Sequence, residues 1–295
     1  MPDTFSTSLA LAGLFHGIEF LENKKLAVNL ILYLFLAGIG ILSKIHTGYI
    51  LVFLIVSLLN KKVLLKNEIV LCLTSIIFLA SVTFWYFYWV PYLFEKYSFR
   101  HFFMGVSVSK GAKEIYDNLA ETLKRFHRSA MMITGFIAFM GGLIISIYKK
   151  NKRIIFVFII GFVAFIPALL KTGHKFAVHN YYIIPFVPVM ALIAGYAVNQ
   201  IKVHWLYLTI IITICMENVL NTWTKFSPRK ERWTLMELEN VMDKVSNRED
   251  LITINAGDDP TALYLAHRKG WRTNNNDLQK PEYKEKLKRW DANMP

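Results

Sequence analysis

From its first residues to about residue 220 the chain alternates long apolar runs with short polar, mostly basic clusters. The runs near the roughly 20 residues a bilayer requires are Phe5–Leu21, Leu26–Leu42, Thr47–Leu59, Ile69–Val90, Ala130–Tyr148, Ile154–Leu170, Tyr181–Val198 and Trp205–Leu220. Each is continuously apolar rather than alternating, so it predicts a helix that satisfies its own backbone hydrogen bonds in lipid, not a strand of a barrel. The expected fold is an all-α multi-spanning membrane bundle of about eight transmembrane helices over residues 1–220. The Thr47–Leu59 run is the shortest of the set.

Two stretches break this pattern. Between Pro91 and Arg128, the segment Ala112–Phe126 places Ile115, Leu119, Thr122, Leu123 and Phe126 at helical spacing, which predicts an amphipathic helix lying on the membrane surface. It follows the aromatic belt Phe84–Tyr92, which Pro91 is expected to terminate. Such a helix serves either as a clamp over the bundle or as a lid over a lipid-linked substrate. After Leu220 the composition turns polar, with 14 basic and 12 acidic residues in 221–295. Leu251–Ala256 predicts a short strand, Gly257-Asp258-Asp259-Pro260 a turn, and Thr261–Lys269 a helix closed by Gly270. A small external α/β domain is expected there.

Composition agrees with the membrane reading: hydrophobic residues make up 54%, aromatics 15%, and mean hydropathy is +0.36. The net charge of +13 sits largely in loops beside apolar runs, where it faces lipid headgroups, so nucleic acid is not an expected partner. Cys72 and Cys215, the only cysteines, lie inside apolar runs and predict neither a disulfide framework nor a thiolate metal site. Basic residues crowd one set of short connections: Lys24 and Lys25; Lys61, Lys62 and Lys66; Lys149, Lys150, Lys152 and Arg153; and Lys202. The opposite short loops hold Lys44, Lys171 and Lys175. By the excess of positive charge on the cytoplasmic side, the second set, both termini and the C-terminal segment face outward.

The polar groups that do not fit simple anchoring collect on that outward side. The loop Thr172–Tyr182 carries His174, Lys175, His179, Asn180, Tyr181 and Tyr182 between two apolar runs, and Pro185 and Pro188 follow it. Asp3 precedes the first run, and Lys44 and His46 interrupt the hairpin between the second and third. Singly these residues have plain readings: a helix cap for Asp3, snorkelling for Lys44, headgroup anchoring for the tyrosines. Together, a carboxylate, lysines and imidazoles on one face offer cations for a phosphate or diphosphate head and a base for a hydroxyl. No short catalytic signature accompanies them.

These residues carry a resemblance. Met1-Pro2-Asp3-Thr4 ahead of a span, Leu42-Ser43-Lys44 in an outward hairpin, Gly173-His174 followed by His179-Asn180-Tyr181-Tyr182-Ile183-Ile184-Pro185, and the stretch Asp258–Trp271 look like the polyprenyl-phosphate-sugar-dependent integral-membrane glycosyltransferases of the protein-mannosyltransferase and aminoarabinose-transferase-like type. The resemblance implies inverting transfer of a sugar from a polyprenyl-phosphate carrier to an acceptor hydroxyl on a protein, lipid or glycan, at the outer face of a plasma membrane. It implies that the chain corresponds to the C-terminal part of such an enzyme, the main catalytic Asp lying on a loop ahead of Met1 and Asp3 matching the second acidic position. Asp3 would then position a divalent cation or the acceptor. Lys44, His46, His174, Lys175, His179, Asn180, Tyr181 and Tyr182 would contact the carrier phosphate or the sugar. A secondary transporter and a non-catalytic membrane scaffold are the other readings; the scarcity of charges within the spans speaks against the transporter.

Overall fold

The computed structural model describes residues 2–22, 24–59, 63–97, 105–226, 233–257 and 259–283, together with 285 and 288. Lys61, Lys62, Asp258 and part of the expected 91–128 loop lie outside the described residues. The chain forms two units, Met1–Val219 and Leu220–Pro295.

The regular structure of the first unit is all helical among the described residues, as the continuous apolar runs require. Five helices are long and apolar enough to cross a membrane: Leu26–Ser43, Leu65–Tyr97, Lys152–Thr172, Asn180–Asn199 and His204–Trp223. A sixth arises if Leu119–Ala130 and Met132–Tyr148, bent by 98°, count as one span. The protein is therefore a helical, multi-pass membrane protein. The two further expected spans form helices but fall outside this set. Pro2–Leu21 is 20 residues long, and its apolar run is diluted by Thr4, Ser6, Thr7, Ser8, His16 and Glu19. The other, Ile45–Leu58, is short because it opens as a 3-10 helix over Ile45–Phe53 before continuing as α-helix over Leu54–Leu58.

Pro91 does not end its helix as expected. A π-helical turn over Trp85–Trp89 precedes it, and the Val90 N–H reaches back five residues to the Trp85 carbonyl. The widened turn moves the carbonyl register away from the proline ring, so the helix runs on to Tyr97. That turn also aims the Tyr86 hydroxyl at the end of the neighbouring helix, where it donates to the Leu42 carbonyl at 2.8 Å.

Packing in this unit depends on small residues, because lipid gives apolar helices no reason to leave it for one another. The helices Pro2–Leu21 and Leu26–Ser43 approach so closely that a Cβ on Gly13 would stand 2.7 Å from the Ala37 nitrogen, and one on Gly40 2.9 Å from the Ser6 carbonyl oxygen. Met132–Tyr148 and Val187–Asn199 do the same at Gly142, whose Cβ would stand 2.2 Å from the Ile193 carbonyl oxygen. A buried aromatic cluster of Phe139, Phe165, Phe176 and Phe186, with Met190 and Ile193, fills the centre of the second half. Phe165 and Phe186 stack with centroids 5.0 Å apart.

After the non-helical residues 105–107, the 91–128 region continues as the helices Val108–Asp117 and Leu119–Lys124 and a π-helical turn Arg125–Ala130. Its buried face is narrower than the sequence predicts. Thr122 is buried and Ile115 and Phe126 pack on the core, but Leu119 and Leu123 are exposed. Backbone adds to the contact, with the Val106 N–H donating to the Lys171 carbonyl at 2.8 Å.

The second unit holds the expected strand, Ile252–Asn255, and a partner that was not expected. Gly270 does not close a helix; it opens a second strand, Gly270–Thr273, paired parallel to the first with Ile252 opposite Gly270. Any Cβ at Gly270 would stand 1.8 Å from the Ile252 carbonyl oxygen, and its φ of 144° suits glycine alone. The connecting helix is correspondingly short, Thr261–Leu265, and His267 takes the left-handed conformation at φ 48°.

Candidate functional site

The residues at issue come from three helix ends. Leu26–Ser43 stops at Lys44, whose extended backbone (φ −155°, ψ 105°) breaks the helical register. Thr47 secures the break by donating its hydroxyl to the Lys44 carbonyl at 2.9 Å, which starts the 3-10 helix and leaves His46 in its first turn. Asp3 lies in the first turn of Pro2–Leu21, where a carboxylate complements the positive end of the helix. The close approach at Gly40 and Ser6 brings these two ends together. The third end is the 3-10 turn Asn180–Phe186 that opens the Asn180–Asn199 span.

Asp3 is buried, with 3% of its surface exposed, and its side chain does not act as the cap that a lone Asp at a helix start suggests. It faces the hairpin instead. Lys44 Nζ and His46 Nε2 each stand 3.5 Å from Asp3 Oδ1. Asp3 Oδ1 and His46 Nε2 are both shut off from solvent and neither completes a hydrogen bond. Burial pushes the Asp3 carboxyl up. Contact with the His46 ring and the Lys44 ammonium outweighs that and holds it below its ordinary value of 3.8. At neutral pH it is ionised, which makes it a weak proton acceptor and a strong electrostatic anchor.

The loop residues complete the cluster. The Tyr181 and Tyr182 rings lie 4.6 Å apart, and the Lys44 ammonium stands over both, 5.6 and 5.8 Å from their centroids. His179 stacks on Tyr181 at 5.1 Å, and His46 lies 6.0 Å from Tyr182. The structure thus brings together Asp3, Lys44, His46, His179, Tyr181 and Tyr182. His174, Lys175 and Asn180 are exposed, and the contacts that define the cluster run through the others.

Sequence reasoning passed over the groups that hold the loop in place. The Tyr49 hydroxyl donates to the Pro185 carbonyl at 2.6 Å. A Glu114 carboxylate oxygen accepts from the His174 N–H at 2.8 Å. Arg125 donates through Nε at 2.9 Å, and through Nη2, to the Ala177 carbonyl. Arg125 and Glu114 carried a signal of a kind, being charged residues within a segment expected to lie against the bundle. Nothing in the sequence distinguishes them from their solvated neighbours.

The donor set does not fit the divalent cation that the resemblance implies for Asp3. Asp3 and His46 give at most two ligands on one side, the Lys44 ammonium opposes a cation at the same oxygen, and no group of three or more His, Cys, Asp or Glu among the described residues could hold a metal ion. What the arrangement offers is an ammonium and an imidazole held on one buried carboxylate and walled by aromatic rings. No family model, curated protein or solved structure matches the chain.

Proposed function

We propose that the cluster binds the phosphate head of a polyprenyl-phosphate sugar at the outer face of the membrane, and that the protein takes part in sugar transfer from that carrier to an acceptor hydroxyl. One observation carries the reading: Lys44 and His46 meet on a single buried carboxylate beside the Tyr181–Tyr182 pair, at the helix ends of a membrane bundle. The Lys44 ammonium has three N–H donors on a partly exposed side chain, so beyond its contact with Asp3 it keeps donors for a phosphate, while His46 Nε2 faces Asp3 away from solvent. Asp3 is a positioning residue here: its ionised carboxylate holds the Lys44 ammonium and the His46 ring together in a partly buried site. The tyrosine rings and His179 offer flat faces of the kind that pack on the apolar faces of a sugar ring. In the transfer itself the acceptor oxygen bonds to the anomeric carbon and gives up its proton, the bond to the phosphate oxygen breaks on the opposite face, and the carrier leaves as polyprenyl phosphate, which takes up the released proton by way of solvent. Lys44 would offset the charge that grows on that phosphate. The loop-charge asymmetry supports the outward orientation.

Farnesyl phosphate, titrated into the nanodisc-embedded protein, tests the reading. A charge-assisted hydrogen bond is worth about 1.5–3 kcal/mol, so Lys44→Gln should weaken binding roughly 10- to 150-fold, and His46→Gln should weaken it less because its Nε2 faces Asp3. Lys152→Gln, in the opposite basic cluster, should not. Absence of binding, or equal loss in all three variants, would remove the carrier from the proposal.

A further inference from the structure

The loop that carries His179, Tyr181 and Tyr182 is gripped at three points, and two of the grips come from the 108–130 segment. Glu114, on the helix Val108–Asp117, accepts the His174 N–H at 2.8 Å, where the loop begins. Gly173, with φ 55°, makes the turn there; a Cβ on it would stand 2.3 Å from the same Glu114 oxygen, so the carboxylate lies directly on the backbone. Arg125 takes the Ala177 carbonyl with two nitrogens, two residues ahead of His179. Its side chain is only 16% exposed, and Ser129 accepts from its Nη1 at 3.4 Å. Between these grips Phe176 is buried against Phe126, at 6.0 Å, and against Phe165. The third grip, Tyr49 on Pro185, comes from the hairpin that carries Lys44 and His46.

We infer that Glu114 and Arg125 are positioning residues, and that the 108–130 segment sets the geometry of the proposed site by fixing the backbone from which His179 and the tyrosine pair project. The physical reason lies in the loop itself. The helix His174–Val178 has five residues, too few to hold its shape unaided, and His179 leaves it in extended conformation. A short helix between two charged side-chain grips keeps its orientation; the buried Phe176 and Ala177 add apolar contact but no directional bond to the loop backbone. Of the two roles open to an amphipathic segment here, the contacts select a clamp whose effect reaches the site, since they fall on loop backbone.

The test reads the loop first and the ligand second. Hydrogen exchange of the amides of residues 174–182 should speed roughly 10-fold or more in Glu114→Ala and in Arg125→Ala, with Glu114→Gln and Arg125→Lys intermediate because each keeps one hydrogen bond. Exchange in the Leu26–Ser43 helix should stay unchanged, which separates a local release from general unfolding. Farnesyl phosphate should then bind both alanine variants several-fold more weakly, with partial rescue in the conservative ones. Unchanged exchange over 174–182, acceleration spread over the whole bundle, or faster exchange with intact binding would each overturn the inference. The second arm rests on the proposed function. If the parent protein binds no farnesyl phosphate while loop exchange responds as expected, the carrier reading fails and the clamp stands as a constraint on the loop.

Discussion

Replacing Asp3 by asparagine tests the centre of the cluster with the smallest change of shape. The carboxylate stands 3.5 Å from both Lys44 Nζ and His46 Nε2, with side-chain exposures of 4% for Asp3, 28% for Lys44 and 15% for His46. At an effective dielectric near 20, one pair at that distance is worth about 5 kcal/mol before desolvation, and most of that is offset by taking the carboxylate out of water. A net loss of about 1–2 kcal/mol at pH 7 is expected, which for a bundle of this size lowers the apparent Tm by roughly 2–8 °C. The sign of the pH dependence follows from the depressed carboxyl. A group whose folded pKa lies below its unfolded value stabilises above the unfolded value, here the ordinary 3.8, and loses that contribution as pH falls through the folded one. The gap between parent and Asp3→Asn should therefore be full above about pH 5 and shrink as pH falls below about 4. Tryptophan-monitored melting of the detergent-solubilised pair across this range measures it, and both proteins share every other carboxylate, so the difference isolates Asp3. Equal stability at pH 7, or a gap unchanged down to pH 3, refutes the electrostatic account.

Three further outcomes follow from the packing. Tyr49→Phe removes the donor to the Pro185 carbonyl and should cost about 1–3 kcal/mol, seen as a lower apparent Tm together with faster exchange confined to the 180–186 turn. Gly40→Val drives a side chain into the Ser6 carbonyl and should separate the helix ends that hold Asp3 and Lys44; a crosslink between Asp3→Cys and Lys44→Cys, formed readily with glycine at 40, should fail with valine there. In the second unit Arg268 is buried and donates to Asp243 at 2.7 Å and to the Ser246 carbonyl at 2.9 Å, so Arg268→Met should destabilise that unit, read as faster limited proteolysis within residues 233–283, and protection equal to the parent would contradict it.

The periodicity of apolar positions made the helices legible because each long run needs only its own backbone to satisfy hydrogen bonds in lipid. It misjudged the lengths where polar side chains bear on the backbone. Thr47 turns the start of the third run into a 3-10 helix, and the serines and threonines of Pro2–Leu21 thin the first. Pro91 misled for the opposite reason: a proline excludes one hydrogen-bond register, and the π-turn over Trp85–Trp89 supplies another. The strand at Gly270–Thr273 was hidden because four residues are too few to show alternation, and its glycine suits a helix cap and a tight strand pairing equally well.

The candidate site was legible as a set of residue types and illegible as a geometry. Asp3, Lys44 and Tyr181 each had a plain reading as a cap, a snorkelling chain and an interfacial ring, and only helix packing could choose between those readings and a shared site. That packing is decided at positions with no chemistry of their own, above all Gly40 against Ser6, one turn inside the helix ends that carry Asp3 and Lys44. The supports are further removed still. Glu114 and Arg125 lie more than fifty residues from the carbonyl and N–H they grip, and their targets are backbone atoms, which no residue code distinguishes. A polar cluster assembled on helix ends is thus announced by its side chains but determined by glycines and by backbone contacts. Substitutions at Gly40, Glu114 and Arg125 consequently probe the site as directly as substitutions within it.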